Sequence, residues 1–394
     1  MTRTSYNPPA FVGRFGQRAL IVGLLGLAVC GVGFVLDREQ FFRAYLVGFL
    51  FWIGIALGSL GLMMVQYLSG GAWGLVIRRI LEAASRTIFP IGVVLFIPII
   101  FGMHDLYHWT HAEVVAADPI LKHKEAYLNT PFFLARTAGY FLIWGLLSML
   151  FSRWSKEHDA SGSQQVRQRL SNLSGPGIVI FCLTVSLAAM DWAMSLDPHW
   201  YSTIYGLLLI AGQAISAMAF AIMMAMMLSK HEPMSEVYRP THFHDLGKLL
   251  LAFIMLWAYF AFSQLLIIWS ANLPEEIPWY LRRFNSGYRY VGIALLLLHF
   301  ALPFALLLSR DLKRNARRLA VVAGLVLVMR VVDLVWLVSP AFKDSHLASG
   351  WMFVAAPIGL GGIWLWWFAR ELQGRPLLPV NEPNFEALLA AEQH

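Results

Sequence analysis

Residues 86–111 read RTIFPIGVVLFIPIIFGMHDLYHWTH. No Lys, Arg, Asp or Glu occurs between Arg86 and Asp105, and the stretch closes on three histidines, His104, His108 and His111. A helix needs ~20 apolar residues to cross the hydrocarbon of a bilayer. A barrel strand would instead alternate apolar and polar over ~10 residues, which this run does not do. The stretch therefore reads as a transmembrane helix over 87–110 that carries titratable groups at its far end.

The same signature recurs along the chain. Of 394 residues, 58% are hydrophobic and 13% charged, with a mean hydropathy of +0.60, whereas a soluble domain carries about 25% charged residues. Ten spans are predicted: 18–36, 41–69, 87–110, 131–152, 175–196, 200–228, 246–270, 287–309, 317–338 and 350–369. The first has the basic flank of a signal peptide in Arg14 and Arg18. It ends in GFVLDREQ without a small-residue cleavage site, so it is kept as a membrane helix. The fold class is all-α integral membrane, with ten transmembrane helices as two four-helix bundles plus flanking helices. The expected division is 1–40 for the N-terminal segment and first helix, 41–196 and 197–338 for the bundles, and 339–394 for the last helix and a cytoplasmic tail. GIALGSLG, with Gly54, Gly58 and Gly61, has the small-residue spacing that lets helices approach closely. The proline-containing tail 371–394 is expected to lie extended on a partner or on the protein itself.

Basic residues set the expected orientation. Most of the 30 Lys and Arg fall in segments on the N-terminal side, among them Arg78, Arg79, Arg86, Arg153, Lys156, Arg167 and Arg375. The opposite side holds fewer, such as Arg38, Lys122, Arg282 and Lys343. Lys and Arg accumulate in cytoplasmic loops, which puts both termini on the cytoplasmic side. On this reading the net charge of +7 reflects topology anchors and not a nucleic-acid surface. The only cysteines, Cys30 and Cys182, sit inside spans, and two thiolates do not hold an iron–sulfur cluster. No Walker or HExxH motif occurs.

What stands out is polarity inside the spans. On the third helix, ~100° per residue places His104, His108 and His111 on one face, with Asp105 about 100° away from His104. Asp191 lies near the outer end of the fifth span, and Gln264 in the outer half of the seventh. Arg330 and Asp333 are i, i+3 on the ninth, and His299 lies near the middle of the eighth. An ionisable group at mid-bilayer costs ~2.5–3.5 kcal/mol on insertion scales, part of which an i, i+3 pair offsets. His104 and His299 differ in depth, which argues against a haem ligated by both. His104 and His108 have metal-compatible spacing without an evident third ligand. Asp and His groups near the outer face suit a site where a quinol gives up two protons as its electrons leave. They equally suit proton exit from a subunit with no quinol, or a satisfied structural network. Broken-helix pairs of the transporter kind are not evident.

Five stretches carry a family resemblance: FFRAYLVGFLFWIGIALGSLGLMMVQYLSGGAWGLVIRRILEAASRTIFP (41–90), GMHDLYHWTH (102–111), YLNTPFFLAR (127–136), DWAMSLDPHWYSTIYG (191–206) and LLPVNEPNF (377–385). Together they resemble the polysulfide-reductase-type (NrfD-like) membrane subunits of alternative complex III, a quinol:cytochrome c oxidoreductase, over nearly the whole chain. The resemblance implies two four-helix bundles with flanking helices and no cofactor held by this chain, with quinone or menaquinone as substrate. Its implied partners are an NrfD-like paralogue, an iron–sulfur subunit, multihaem cytochrome c subunits and small membrane subunits, besides lipids and with no nucleic acid. It implies a candidate quinol or proton site at His104, Asp105 and Asp191. A proton path would use His108, His299, Arg330, Asp333 and Gln264. The expected function is a share in quinol oxidation or in proton transfer on the periplasmic side. The alternatives are a proton-translocating subunit with no quinol site, or a membrane anchor for peripheral subunits.

Overall fold

The computed structural model describes residues 6–342, 350–379, 381 and 382. Arg3, Lys343 and the tail from 383 onward lie outside the described residues. Among those described there is no strand, and ten helices are long and apolar enough to cross a membrane. They are α1 (Phe11–Leu36), α2 (Arg38–Ser69), α3 (Ala72–Phe101), α4 (Thr130–Ser161), α5 (Gln164–Leu196), α6 (Tyr205–Leu228), α7 (Pro240–Ala271), α8 (Tyr288–Leu308), α9 (Ala316–Ala341) and α10 (Met352–Gln373). The chain is an all-α, multi-pass membrane protein.

Local chemistry fixes the helix ends. The Asp37 side chain accepts from Gln40 N and starts α2. Asn129 caps α4 through Phe132 N, with Pro131 in its first turn, and Asn315 caps α9 through Arg318 N. The α2–α3 turn is Gly70–Gly71, with φ of 69° and 94°, a left-handed region that side chains with a Cβ avoid.

Helices α2 and α6 form the centre, with 89% and 78% of their most apolar windows buried inside the protein, against 17% for α1. They pack on each other where a Cβ on Gly58 would come within 2.1 Å of the Gln213 carbonyl oxygen. In hydrocarbon there is little hydrophobic gain from joining two helices, so close backbone approach and dispersion supply the association. Around this pair, α3, α5 and α10 contact α2, while α5, α7 and α9 contact α6.

One expectation is corrected here. The sequence reading began the third span at residue 87 and left Arg78 and Arg79 in a loop. The helix begins at Ala72, and both arginines are buried within it at 4% and 2% exposure. The last helix, α10, packs on α2 and α6, with Trp364 and Phe368 edge-on to Phe220 of α6 and the Trp52 indole donating to Pro357 O at 2.7 Å.

Candidate functional site

Four helices, α6 to α9, converge on a polar cluster inside the membrane. On α9, Arg330 Nη1 donates to Asp333 Oδ2, the i, i+3 pair expected from the sequence, and the two side chains are only 3% and 2% exposed. From α7, Trp257 Nε1 donates to the same Asp333 oxygen at 3.2 Å. From α8, His299 stands edge-on to the Trp257 ring, with centroids 4.5 Å apart and planes at 86°. From α6, Gly212 makes room for the guanidinium: a Cβ there would lie 2.2 Å from Arg330 Cζ.

The setting of His299 follows from its neighbours in sequence. Pro303 has no N–H to donate to the carbonyl four residues back, which is that of His299. The helix widens into a π-helical segment over Leu295–Ala301, and Leu302 N reaches back to Leu297 O. Such turns displace a side chain from regular register and are frequent at functional positions. His299 is fully buried, and neither ring nitrogen has a hydrogen-bond partner among the described residues. A buried polar group without a partner costs about 1–3 kcal/mol. Next to Gly212, Gln213 Oε1 is likewise buried and unpartnered.

Asp191 belongs to a different cluster, at the ends of α4 and α5. It is 0% exposed and accepts two bonds from Arg136, Nε to Oδ2 and Nη2 to Oδ1, both 2.9 Å, and a third from Tyr140 at 2.8 Å. The Arg136 guanidinium lies over Tyr127 at 3.8 Å and Phe132 at 4.3 Å. A bidentate arginine fixes the orientation of the carboxylate and occupies both of its oxygens. Tyr107 ties the 102–111 stretch to this cluster by donating to Trp192 O at 3.0 Å. Burial, and then the Asp191 carboxylate, push its phenol well above the usual range, so it stays a neutral donor.

The three histidines of the 102–111 stretch are not carried by a continuous helix, contrary to the sequence expectation. α3 ends at Phe101; one turn follows over Met103–Leu106, Tyr107 is extended, and a 3-10 turn covers His108–Thr110. Gly102 is where the path bends, tight against Phe42, whose Cδ1 would lie 2.2 Å from a Cβ. The bend still brings His104 and His111 together: their rings are 5.1 Å apart and His111 Nε2 lies 2.8 Å from His104 O. His104 Nδ1 lies 3.2 Å from Thr110 Oγ1. His104, His108 and His111 are exposed. Asp105 pairs with Arg38 at 3.1 Å, at the α1–α2 corner. Among the described residues no hydrogen bond or ion pair joins Asp191 to His104 or Asp105, and no cluster of His, Cys, Asp or Glu is placed to hold a metal ion. Gln264 accepts from Ser202 Oγ at 3.1 Å and donates to the Tyr280 hydroxyl at 3.3 Å, apart from the His299 cluster.

Sequence reasoning missed a third cluster. Arg79 donates to Glu82 at 2.6 Å, Ser155 at 2.8 Å and both oxygens of Asp159 at 2.5 Å. Arg375 reaches Glu82 at 3.0 Å, Arg78 pairs with Glu382, and Arg86 meets Glu371 at 2.8 Å. The available signal was IRRILE, a charged but helix-compatible run directly upstream of the apolar stretch. The sequence matches no protein-family model and no curated protein.

Proposed function

We propose that the chain is a membrane subunit of a quinol-oxidising electron-transfer complex of the NrfD-like kind its sequence resembles, and that its own part is to carry protons through the α6–α9 cluster. The observation that carries this reading is His299, fully buried with both ring nitrogens unpartnered, packed on the indole that hydrogen-bonds Asp333. A neutral imidazole holds a proton on one nitrogen and accepts one on the other, so it passes a proton on without a change of net charge. Asp333 exchanges a proton only by loosening Arg330, which couples protonation to a rearrangement of α9 against Gly212. Electrons belong to partner subunits with iron–sulfur and haem groups. This chain would hold no metal or cofactor, with both termini on the cytoplasmic side of a bacterial inner membrane.

The test is proton release per electron in vesicles carrying the whole complex. His299→Ala and Asp333→Asn are expected to lower that ratio while electron transfer from quinol continues. An unchanged ratio in both variants would overturn the proposal.

A second reading keeps a quinol at the 102–111 end. It is favoured by the exposed His104–His111 pair, whose rings lie within 5.1 Å. His104→Ala would then raise the KM for quinol and leave the proton ratio unchanged.

A further inference from the structure

One face of α4 changes character along its length. Leu142, Leu146 and Met149 are 61%, 54% and 62% exposed, and the exposed residues that continue the same face are Arg153 and Lys156. At ~100° per residue these five side chains lie within about 40° of one line. Phe89 of α3, 51% exposed, lies over Gly145 and widens the apolar part of this wall.

The cationic end of the stripe is not neutralised. Neither Arg153 nor Lys156 pairs with a carboxylate among the described residues. Arg86, bonded to Ser152 Oγ at 3.1 Å, and Arg375, bonded to Ser152 O at 3.2 Å, act electrostatically on Lys156, as does the Glu371 carboxylate in the opposite sense without forming an ion pair with it. Their own carboxylates, Glu371 and Glu82, are already committed to them. The surface is therefore apolar where hydrocarbon would lie, and ends in two cations set one helical turn apart that no carboxylate pairs, beside the Arg86–Glu371 and Arg375–Glu82 ion pairs.

We propose that this face of α4 is a binding site for one anionic phospholipid, with acyl chains along Leu142, Leu146, Met149 and Phe89 and the phosphodiester held by Arg153 and Lys156. The assignment rests on charge complementarity. A zwitterionic headgroup brings no net charge to offset the cations, and a soluble anion makes no use of the apolar wall. Long basic side chains also reach toward any headgroup layer without a specific site, and the controls address that.

The test uses the full chain, purified in detergent, stripped of lipid and titrated in native mass spectrometry. The probes are phosphatidylglycerol, phosphatidylcholine and soluble glycerol phosphate. One phosphatidylglycerol is expected to bind in preference to the other two. Each cation near a surface contributes about fivefold, so Arg153→Gln with Lys156→Gln should weaken that binding roughly 25-fold. Arg317→Gln with Arg318→Gln, an exposed basic pair on α9, should change it less than roughly twofold if attraction is local. Both pairs lie on the surface, and an unchanged melting temperature confirms folding. The proposal is overturned if phosphatidylcholine or glycerol phosphate binds as well, if the α4 variant keeps its lipid, or if the α9 variant loses as much.

Discussion

Arg283 is a buried cation with no carboxylate partner among the described residues. It is 1% exposed and donates to three carbonyls, Trp336 O at 3.1 Å, Trp279 O at 2.8 Å and Leu337 O at 3.1 Å, with its guanidinium 3.2 Å from the centre of the Trp279 ring. Two of those carbonyls belong to the last turns of α9, whose dipole is negative there. Burial pushes the guanidinium down to about 9, still well above neutral pH, so it stays charged. Arg283→Gln should lower stability by about 3 kcal/mol, since a hydrogen bond to a charged group contributes ~1.5–3 kcal/mol; thermal unfolding in detergent checks it. Asp333→Asn strands Arg330 in the interior, at a cost of ~3–5 kcal/mol. Arg330→Met combined with Asp333→Leu should recover most of that in the same assay, because it removes both charges. The Arg330–Asp333 pair was legible in the sequence because i, i+3 side chains meet on one helix. Trp257 and Gly212 were not, because their contacts run between helices and leave no local pattern.

At the scale of the element, hydropathy located all ten spans, because an apolar run of bilayer length has few other fates. It misplaced the ends of α3, where other forces decide. Upstream, Arg78, Arg79 and Glu82 resembled a loop because, apart from the local Arg79–Glu82 pair, their partners Asp159, Arg375 and Glu382 are far away in sequence. Downstream, a bend at Gly102 overrides the helical period on which the histidine face depended. The seam between α1 and α10 also had no signal by apolarity alone. α1 lies against α10 along Gly16, Gly23 and Gly26, and a Cβ on Gly362 would fall 2.2 Å from Gly23 Cα. Gly362→Leu is therefore expected to drive α1 off α10. Limited proteolysis after α1 reads it directly: the variant should be cut there faster than the parent, and an unchanged rate would mean that α1 tolerates a wider spacing.

Across the whole molecule, the two ends of the helices are tied by different chemistry. At one end every residue of the DPH loop, 197–199, is held by a neighbour. Asp197 pairs with Arg282, Pro198 O accepts from Lys124 Nζ at 2.6 Å, and His199 Nε2 meets Asp118 Oδ2 at 2.5 Å. These are surface contacts, and the His199 bond together with backbone N–H donors holds the Asp118 carboxyl below its usual range. That clamp is present above the ordinary carboxylate pKa near 4 and is lost as pH falls through the lower folded value. At the other end the ties are buried. Glu382 pairs with Arg78 and lies 3.4 Å from Arg167, and Asn381 Nδ2 donates to Asp159 O at 2.6 Å, so the segment after α10 closes the ends of α3, α4 and α5. Because Arg78 is only 4% exposed, removing Glu382 leaves a buried cation with Gln66 as its remaining side-chain hydrogen-bond partner, at 3.0 Å. Glu382→Gln should accordingly destabilise by ~3–5 kcal/mol, the penalty for an unpaired buried charge. A change at the DPH clamp, Asp118→Asn, should cost far less, as exposed pairs do. Thermal unfolding of the two variants side by side measures the contrast. Equal losses would show that the segment after α10 rests on the helix ends without contributing to the ionic network beneath it.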